Sequence, residues 1–410
     1  MFSRPARELV ALKVEMAVGV VATSTGARIG WKGSQLCTTA LWLLANSAQA
    51  AVLPEDRADY LYHYYDGGGV TIDGPSILAR KQLGDSTSVA ANYYVDTVSS
   101  ASIDVVTTAS AYSEERTETS LSVDYLHDKT TLSTGYTRSE ESDYLAKTAY
   151  VSISQDFFGD LSTLTLGYSQ GRDTVYRIDT NVGGVERQNF RLGLTQVLSK
   201  SWIVSGNVET ITDEGFLNNS YRQVRYVDPG APRGYSFEPE RYPATRTSSA
   251  VSLQSMYYLE HRAAIRNFYR YFADDWDIQA HTFEIGYVHP WRDVWTFAIR
   301  FRHYSQSSAD FYSDLFPFSD AQNFLARDKE LSTFTSNTIG FGVSYDMLRD
   351  GWRFVDSGRA NVILDFVSFD YEDFRDIRGT VNSLTASNTG SEPTYGFDAI
   401  VLRLFFSIWY

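Results

Sequence analysis

From Glu55 to its last residue the chain is written in period two, and it returns to that period after each of many turns. Successive side chains of a β-strand point to opposite faces, so a strand that alternates apolar and polar residues separates two different surroundings. In LSTLTLGYSQ, Leu164, Leu166 and Tyr168 alternate with Thr163, Thr165, Gly167 and Ser169. Val251, Leu253, Tyr257 and Leu259 alternate with Ser252, Gln254 and Tyr258. Trp295, Phe297, Ile299 and Phe301 do so with Thr296, Ala298, Arg300 and Arg302. One face of each segment meets something greasy and the other something wet.

About sixteen such segments can be placed, centred near residues 61, 76, 92, 122, 134, 148, 166, 191, 207, 253, 267, 283, 299, 340, 364 and 403. Their connections alternate. Short turns fall at 84–86, 127–130, 155–160, 199–201, 260–262 and 289–293, with a longer one at 347–357; long loops are read at 99–118, 171–187, 213–247, 306–332 and 371–395. This is the pattern of an all-β, antiparallel, up-and-down transmembrane barrel with short periplasmic turns, longer extracellular loops and both chain ends on the periplasmic side. Sixteen strands satisfy the even count, and fourteen would too. A soluble β-sandwich also alternates. Against it stand Tyr257, Tyr287, Trp295 and Tyr410 at strand ends, where a membrane interface carries its aromatic girdle, and loops longer than compact domains use.

The segment AIVLRLFFSIWY is the third argument. Ile400, Leu402, Leu404, Phe406 and Ile408 are read as one lipid-facing row, with Asp398, Arg403, Ser407 and Trp409 on the other face. An aromatic end such as Tyr410 on that row resembles the signal by which the outer-membrane barrel-assembly machinery recognises its substrates. Leu402, Leu404, Phe406, Ile408 and Tyr410 are the residues assigned to it.

Composition agrees with many amphipathic strands. Aromatics make up 15% of the 410 residues while mean hydropathy is slightly negative. After residue 50 no stretch supplies the roughly 18 uncharged apolar residues of a spanning helix. Before it, Arg28 and Lys32, the apolar run LCTTALWLLA and the small-residue site Ala48-Gln49-Ala50 read as an export signal over 1–50, cleaved after Ala50, with the barrel over 51–410. Met16 offers an alternative start. Removing 1–50 leaves 31 basic against 48 acidic residues, a net charge of −17, which repels nucleic acid. The single cysteine, Cys37, lies inside the signal, so the mature barrel has no thiol chemistry.

The stretches TTASAYSEER, SQDFFGD, ITDEGFLNNSYRQVRYVD, YRYFADDWDIQAHTFEIGYVHPW, YSQSSADFYSDLF and ARDKELSTF resemble a proteobacterial family of uncharacterised outer-membrane proteins, a domain of unknown function. The resemblance runs from about Tyr60 to Tyr410. It implies a porin-like barrel in the outer membrane of a Gram-negative bacterium, without assigned activity or functional residues. Its gene neighbourhood, with exported flavin-transferring and thioredoxin-like proteins, implies a periplasmic redox setting and a periplasmic protein partner.

Motifs for chemistry are sparse. There is no nucleotide loop, zinc spacing or nucleophile elbow, and GVTIDG lacks the helix that a phosphate cradle needs. No cofactor and no metal site are expected. The six histidines are scattered. His281 and His303, with Ser305, Ser307, Ser308, Asp310 and Asp314 nearby, form a loose constellation of the kind outer-membrane hydrolases use, without a distinguishing spacing, and an enzyme is not the expectation. Arg266, Arg270, Arg300, Arg302, Arg403 and Glu284 are read as facing inward, because arginine costs roughly 2–4 kcal/mol at the lipid midplane. Two readings stand for them: a basic constriction that favours anions, or a salt-bridged wall, Glu284 with Arg300 for instance. The acidic loops 273–277, 309–320 and 369–376 read as surface charge, or as oxygen ligands for calcium and lipopolysaccharide-bridging ions. The loop with Arg222, Arg225, Arg233, Arg241 and Arg246 reads as a constriction or a cap.

The expected function is an outer-membrane channel or conduit for a small solute, anionic on the first reading of the arginines. The alternatives are a scaffolding barrel for exported redox proteins and an outer-membrane hydrolase.

Overall fold

The computed structural model describes residues 52–100, 112–177, 180–218, 221–349, 351–378 and 389–410. The export signal read over 1–50, with Cys37, lies outside the described residues. No helix among the described residues is long and apolar enough to cross a membrane.

Sixteen antiparallel strands close into one barrel: β1 (Arg57–Gly67), β2 (Val70–Leu83), β3 (Thr87–Ser100), β4 (Tyr112–His127), β5 (Thr130–Glu140), β6 (Tyr144–Phe157), β7 (Ser162–Arg177), β8 (Thr180–Ser199), β9 (Trp202–Gly215), β12 (Thr245–Tyr258), β13 (Ala264–Asp274), β14 (Gln279–Trp291), β15 (Trp295–Gln306), β16 (Phe334–Met347), β17 (Ser357–Arg375) and β18 (Thr394–Trp409). A separate two-stranded hairpin, β10 (Gln223–Val227) with β11 (Tyr235–Pro239), is carried by the loop between β9 and β12. Every segment read from the alternation is a strand of the wall. The barrel closes where β1 pairs with β18, Arg57 opposite Trp409 and Gly67 opposite Ala399. Full closure leaves no strand edge in lipid, where an unpaired backbone group would cost several kcal/mol.

Alternation sets the two faces. Leu121, Leu166, Leu192, Leu253, Ile299, Phe341, Phe366 and Phe406 are exposed on the outer face and together make the apolar band. At the short-turn end Trp202, Tyr257, Trp291 and Tyr345 are exposed, and Trp295 packs on Tyr345 with ring centroids 4.6 Å apart. These form an interfacial girdle. The short turns use backbone that matches strand twist: Arg292 and Asp293 between β14 and β15 both take positive φ, 53° and 58°.

Two sequence readings change. Residues 171–187 are mostly wall, since β7 runs to Arg177 and β8 starts at Thr180. The strands continue past the apolar band into water, where Arg172 and Glu186 face outward, 71% and 61% exposed, so the greasy half of the alternation disappears. Asp398 pairs with Ser368 and so belongs to the even-numbered row of Ile400, not to the row of Arg403.

At the long-loop end three loops pack into a lid. Tyr226 bridges Phe316, Arg241 bridges Leu325 and Tyr312 bridges Ala326. Trp276, Ile278, Ala309, Phe311, Ala326 and Leu331 form its core, and Leu217 links that core to Tyr144, Val175 and Val185 on β6–β8. The lid therefore touches the wall at β6–β8 as well as at β13–β14. The basic loop packs into this lid, and the acidic loops divide: Asp274 and Asp314 are buried acceptors for Arg246 and for Arg225 and Arg327, while Asp275, Asp277, Asp310 and Asp320 are exposed surface charge.

Candidate functional site: an arginine-lined inner wall

The inner face of β13–β18 is built in rows of cross-strand neighbours. One row runs Arg266, Gly286, Arg300, Gly340, Asp365, Val401 and Tyr65. The next row toward the long loops contains Phe268, Glu284, Arg302, Thr338, Val367 and Ala399. Toward the short turns lie Ala264, Val288, Ala298, Gly342, Ile363, Arg403 and His63.

Glycine spaces this wall. Arg300 reaches across β16 to β17, where its Nη2 donates to Asp365 Oδ2 at 2.6 Å and its Nε to Oδ1 at 3.2 Å. A Cβ at Gly340 would lie 2.6 Å from Arg300 Nε, and closer still to Asp365 Oδ1. A side chain there would occupy the path of the guanidinium. Arg403 donates from Nη2 to the same Asp365 Oδ2, so one carboxylate serves two arginines. Glu284 faces Arg302 across the β14–β15 pair, and its carboxylate also acts electrostatically on Arg266 and Arg403.

Four arginines, Arg266, Arg300, Arg302 and Arg403, thus share two carboxylates, Glu284 and Asp365. All six line the inner face, and Arg266, Arg302 and Arg403 are only 7%, 7% and 3% exposed. Arg302 Nε and Arg403 Nε and Nη1 are buried without a hydrogen-bond acceptor among the described residues. A buried guanidinium with idle donors is a position of strong demand for an anion. Arg270 stands apart, 3.7 Å from Glu209, which also accepts from Arg191 at 2.7 Å. The salt-bridged reading is realised on different partners, with Asp365 and not Glu284 taking Arg300.

Sequence reasoning did not find Asp365 or His63. Beyond Arg403 the wall continues through His63, whose Nε2 lies 2.6 Å from Asp96 Oδ1; Asp96 also accepts from Arg116, and Tyr94 stacks on the His63 ring at 5.0 Å. The usable signal was inward parity: His63, Asp96 and Arg116 each fall on the wet phase of their strands.

The other candidates are placed as follows. His303 and Asn337 are cross-strand neighbours on the outer face, with His303 Nδ1 2.9 Å from Asn337 Oδ1, and Ser305 lies two residues along on the same face opposite His281. His281 Nδ1 is 2.8 Å from the Tyr269 hydroxyl. Asp314 is taken up by the lid. Glu114, Glu141 and Asp143, at the long-loop ends of β4–β6, bring carboxylate oxygens within 4.8 Å of one another. Burial, then the neighbouring carboxylates working against Arg116, push Glu141 up to about 7. In the row Leu402, Leu404, Phe406 and Ile408, Phe406 is 49% exposed to the outside, while Tyr410 donates its hydroxyl to the Arg80 carbonyl at 3.1 Å under the Lys81 ammonium.

In the lid, Arg225 is fully buried and joins three loops: it pairs with Asp314, and its Nη1 donates to Glu392 Oε1 at 2.6 Å. Burial raises Glu392, but the hydrogen bond from Arg225, backbone N–H donors and the Arg225 charge together outweigh it and hold the carboxyl below its ordinary value. Glu240 differs. Burial, then Asp328, push it up to about 7 against the pull of Arg222, while it accepts from Tyr242 Oη at 2.6 Å and from Arg327 N at 2.8 Å.

A closed sixteen-stranded wall with a lipid-compatible outside, a charged inside and a looped cap defines a transmembrane β-barrel of the outer-membrane type. Within that class the chain belongs to the family described as "Protein of unknown function (DUF3570)", whose model matches residues 108–189 and 179–357. No curated protein matches it in sequence. Among solved structures it is similar to a bacterial polysaccharide outer membrane secretin, at 10% identity over 87% of this chain and 100% of that one, TM-score 0.45. It is also similar to the outer membrane protein OpdK from Pseudomonas aeruginosa (10% identity, 87% and 99% covered, TM-score 0.40) and to OmpT of Vibrio cholerae (8%, 87% and 99%, 0.41).

Proposed function

We propose that the chain is an outer-membrane conduit for small anionic solutes, selected at the arginine rows of β13–β18. The observation that carries this is the surplus of charge: four inward arginines against two carboxylates, with idle N–H groups on Arg302 and Arg403. Such a patch on one sector of the wall raises the local anion concentration and repels cations. Planar-bilayer conductance of the purified protein tests it. Expected are steady pores whose reversal potential under a KCl gradient favours chloride, with that preference reduced in Arg302→Ala and Arg300→Ala. Cation-preferring pores in the wild type would refute it. A silent bilayer together with co-purification of an exported protein would favour the scaffolding reading, in which the barrel docks a periplasmic partner.

One observation favours a second reading, an acyl hydrolase working on outer-leaflet lipid. The Asn337 carbonyl oxygen facing His303 Nδ1 suits the tautomer that leaves Nε2 as a base, and Ser305 is the nearest hydroxyl on that strand face. Release of fatty acid from phospholipid vesicles, lost in both His303→Ala and Ser305→Ala, is required of it. For biogenesis, the row Leu402, Leu404, Phe406, Ile408 and Tyr410 serves as the assembly-machinery signal, so Phe406→Asp is expected to lower the amount of folded barrel in the outer membrane without changing its synthesis.

A further inference from the structure

The same rows define what kind of anion suits them. We infer that the wall binds an organic acid, with its carboxylate on Arg302 and Arg403 and its carbon skeleton on the aromatic residues stacked on the long-loop side; this rests on the anionic reading above.

The donors come first. Arg300 and Arg403 already grip a carboxylate, that of Asp365, and Arg300 holds both of its oxygens. The wall itself thus presents the guanidinium–carboxylate geometry, and Arg403 keeps Nε and Nη1 beyond it. The guanidinium fork suits the planar, two-oxygen carboxylate. Chloride offers only one centre. Space comes next. Gly286, Ala298, Gly340 and Gly342 occupy the inward positions beside these arginines, and an added Cβ at Gly286 would meet only ordinary contacts, the nearest at 3.7 Å. Small inward residues therefore flank the buried donors, with Gly286 the one position where an added methyl fits and Gly340 already filled by the Arg300 and Asp365 side chains.

The third observation lies along the same strands. Past Glu284, Arg302 and Val367, the inward positions become aromatic: Tyr304 on β15, Phe334 on β16, Phe369 and Tyr371 on β17, and Phe397 on β18. Tyr65, Tyr304 and Phe397 are only partly buried there. A solute descending from the lid meets ring faces before it meets arginine. Inorganic phosphate or sulfate gains nothing from ring faces, whereas an aromatic or aliphatic carboxylate buries its skeleton there and is gripped at its head.

The test is calorimetric titration of the full barrel, folded in detergent at constant ionic strength, with benzoate, acetate and inorganic phosphate as probes. Saturable binding of benzoate is expected, at least tenfold tighter than acetate or phosphate. Arg302→Gln and Arg403→Gln each weaken benzoate at least tenfold, and Tyr304→Ser weakens benzoate while leaving acetate unchanged. Arg262→Gln, at the exposed β13-side turn where Arg262 pairs with Asp293, changes nothing. Two arginine variants and one aromatic variant keep the result readable if one of them fails to fold. Phosphate binding as tight as benzoate, or no saturable binding in an anion-selective pore, overturns the organic-acid site and leaves the conduit standing. No binding in a pore without anion preference overturns both.

Discussion

Two buried arginine clusters in one molecule are handled in opposite ways. In the lid, Arg225 has a carboxylate on either side and also donates from Nε to the Asp314 carbonyl at 2.9 Å. In the wall, Arg302 and Arg403 are almost as buried, yet keep donors without acceptors. A buried charge that is fully paired acts as a fastener, because removing it strands its partners. A buried charge left short of partners is poorly placed for holding a fold together and well placed for receiving a ligand. The lid therefore reads as structure and the wall as site, although both are made of the same residue type.

The sharpest break in that contrast is Arg225→Met. It leaves Asp314 with Arg327 as its one ion-pair partner and Glu392 with no ion-pair partner among the described residues, and removing one member of a buried pair costs about 3–5 kcal/mol. The expected outcome is a lid open to protease between β9 and β12 and between β15 and β16, with the sixteen-stranded wall still resisting. Equal protease resistance of variant and wild type would mean that Arg225 is no fastener.

Within the lid, Glu240 supplies a pH dependence. Its folded value, about 7, lies above the ordinary 4.5, so the lid prefers the neutral acid. The stability that goes with protonation is fully present below about pH 4.5 and is lost as pH rises through about 7. Protection of lid amides from hydrogen exchange is expected to fall between these values in the wild type. In Glu240→Gln that fall should flatten, since the amide does not ionise: its oxygen can accept from Arg327 N while its NH2 donates to the Tyr242 hydroxyl oxygen. A dependence of the same size in both proteins assigns it to another group.

In the wall, Gly340→Ala asks whether spacing is as necessary as charge. The new methyl falls on Arg300 Nε and Asp365 Oδ1, and crowding of this kind costs about 1–3 kcal/mol. Guanidinium chloride unfolding of the detergent-folded barrel should show it, together with weaker anion preference. An unchanged midpoint would show that Arg300 has another route to Asp365.

How far the sequence announced all this follows from the range of each interaction. The wall was legible, because period two is local: each of the sixteen segments carries its own inside and outside, and parity turned Arg266, Arg270, Glu284, Arg300, Arg302 and Arg403 inward. Parity applied carelessly misassigns a residue, as it did Asp398. Residues 171–187 hid their strands because the alternation depends on lipid, which ends before the strands do. The lid was illegible for another reason. Arg225 meets Asp314 89 residues away and Glu392 167 residues away, and nothing in the neighbourhood of any of the three marks the others. Asp365 is similar: only the closed strand order puts β17 within reach of β15, over a glycine that in isolation argues against a strand.

The smallest expected effect is the most informative about the contrast. Arg302 has no ion pair drawn to it among the described residues beyond its electrostatic relation to Glu284, and its Nε meets no acceptor. Removing one member of a buried ion pair is costly because it strands the other, and no hydrogen bond or ion pair among the described residues joins Arg302 to Glu284. Arg302→Met should therefore shift unfolding free energy by no more than about 1 kcal/mol in either direction, because Arg266 still acts on Glu284. Anion preference should nevertheless fall. A loss of stability comparable to that of Arg225→Met would place Arg302 among the fasteners. It would also remove the reason for distinguishing the wall from the lid. Stability retained with selectivity lost would mean that the fold tolerates this guanidinium without depending on it, which is the condition a binding group on a β-barrel wall has to meet.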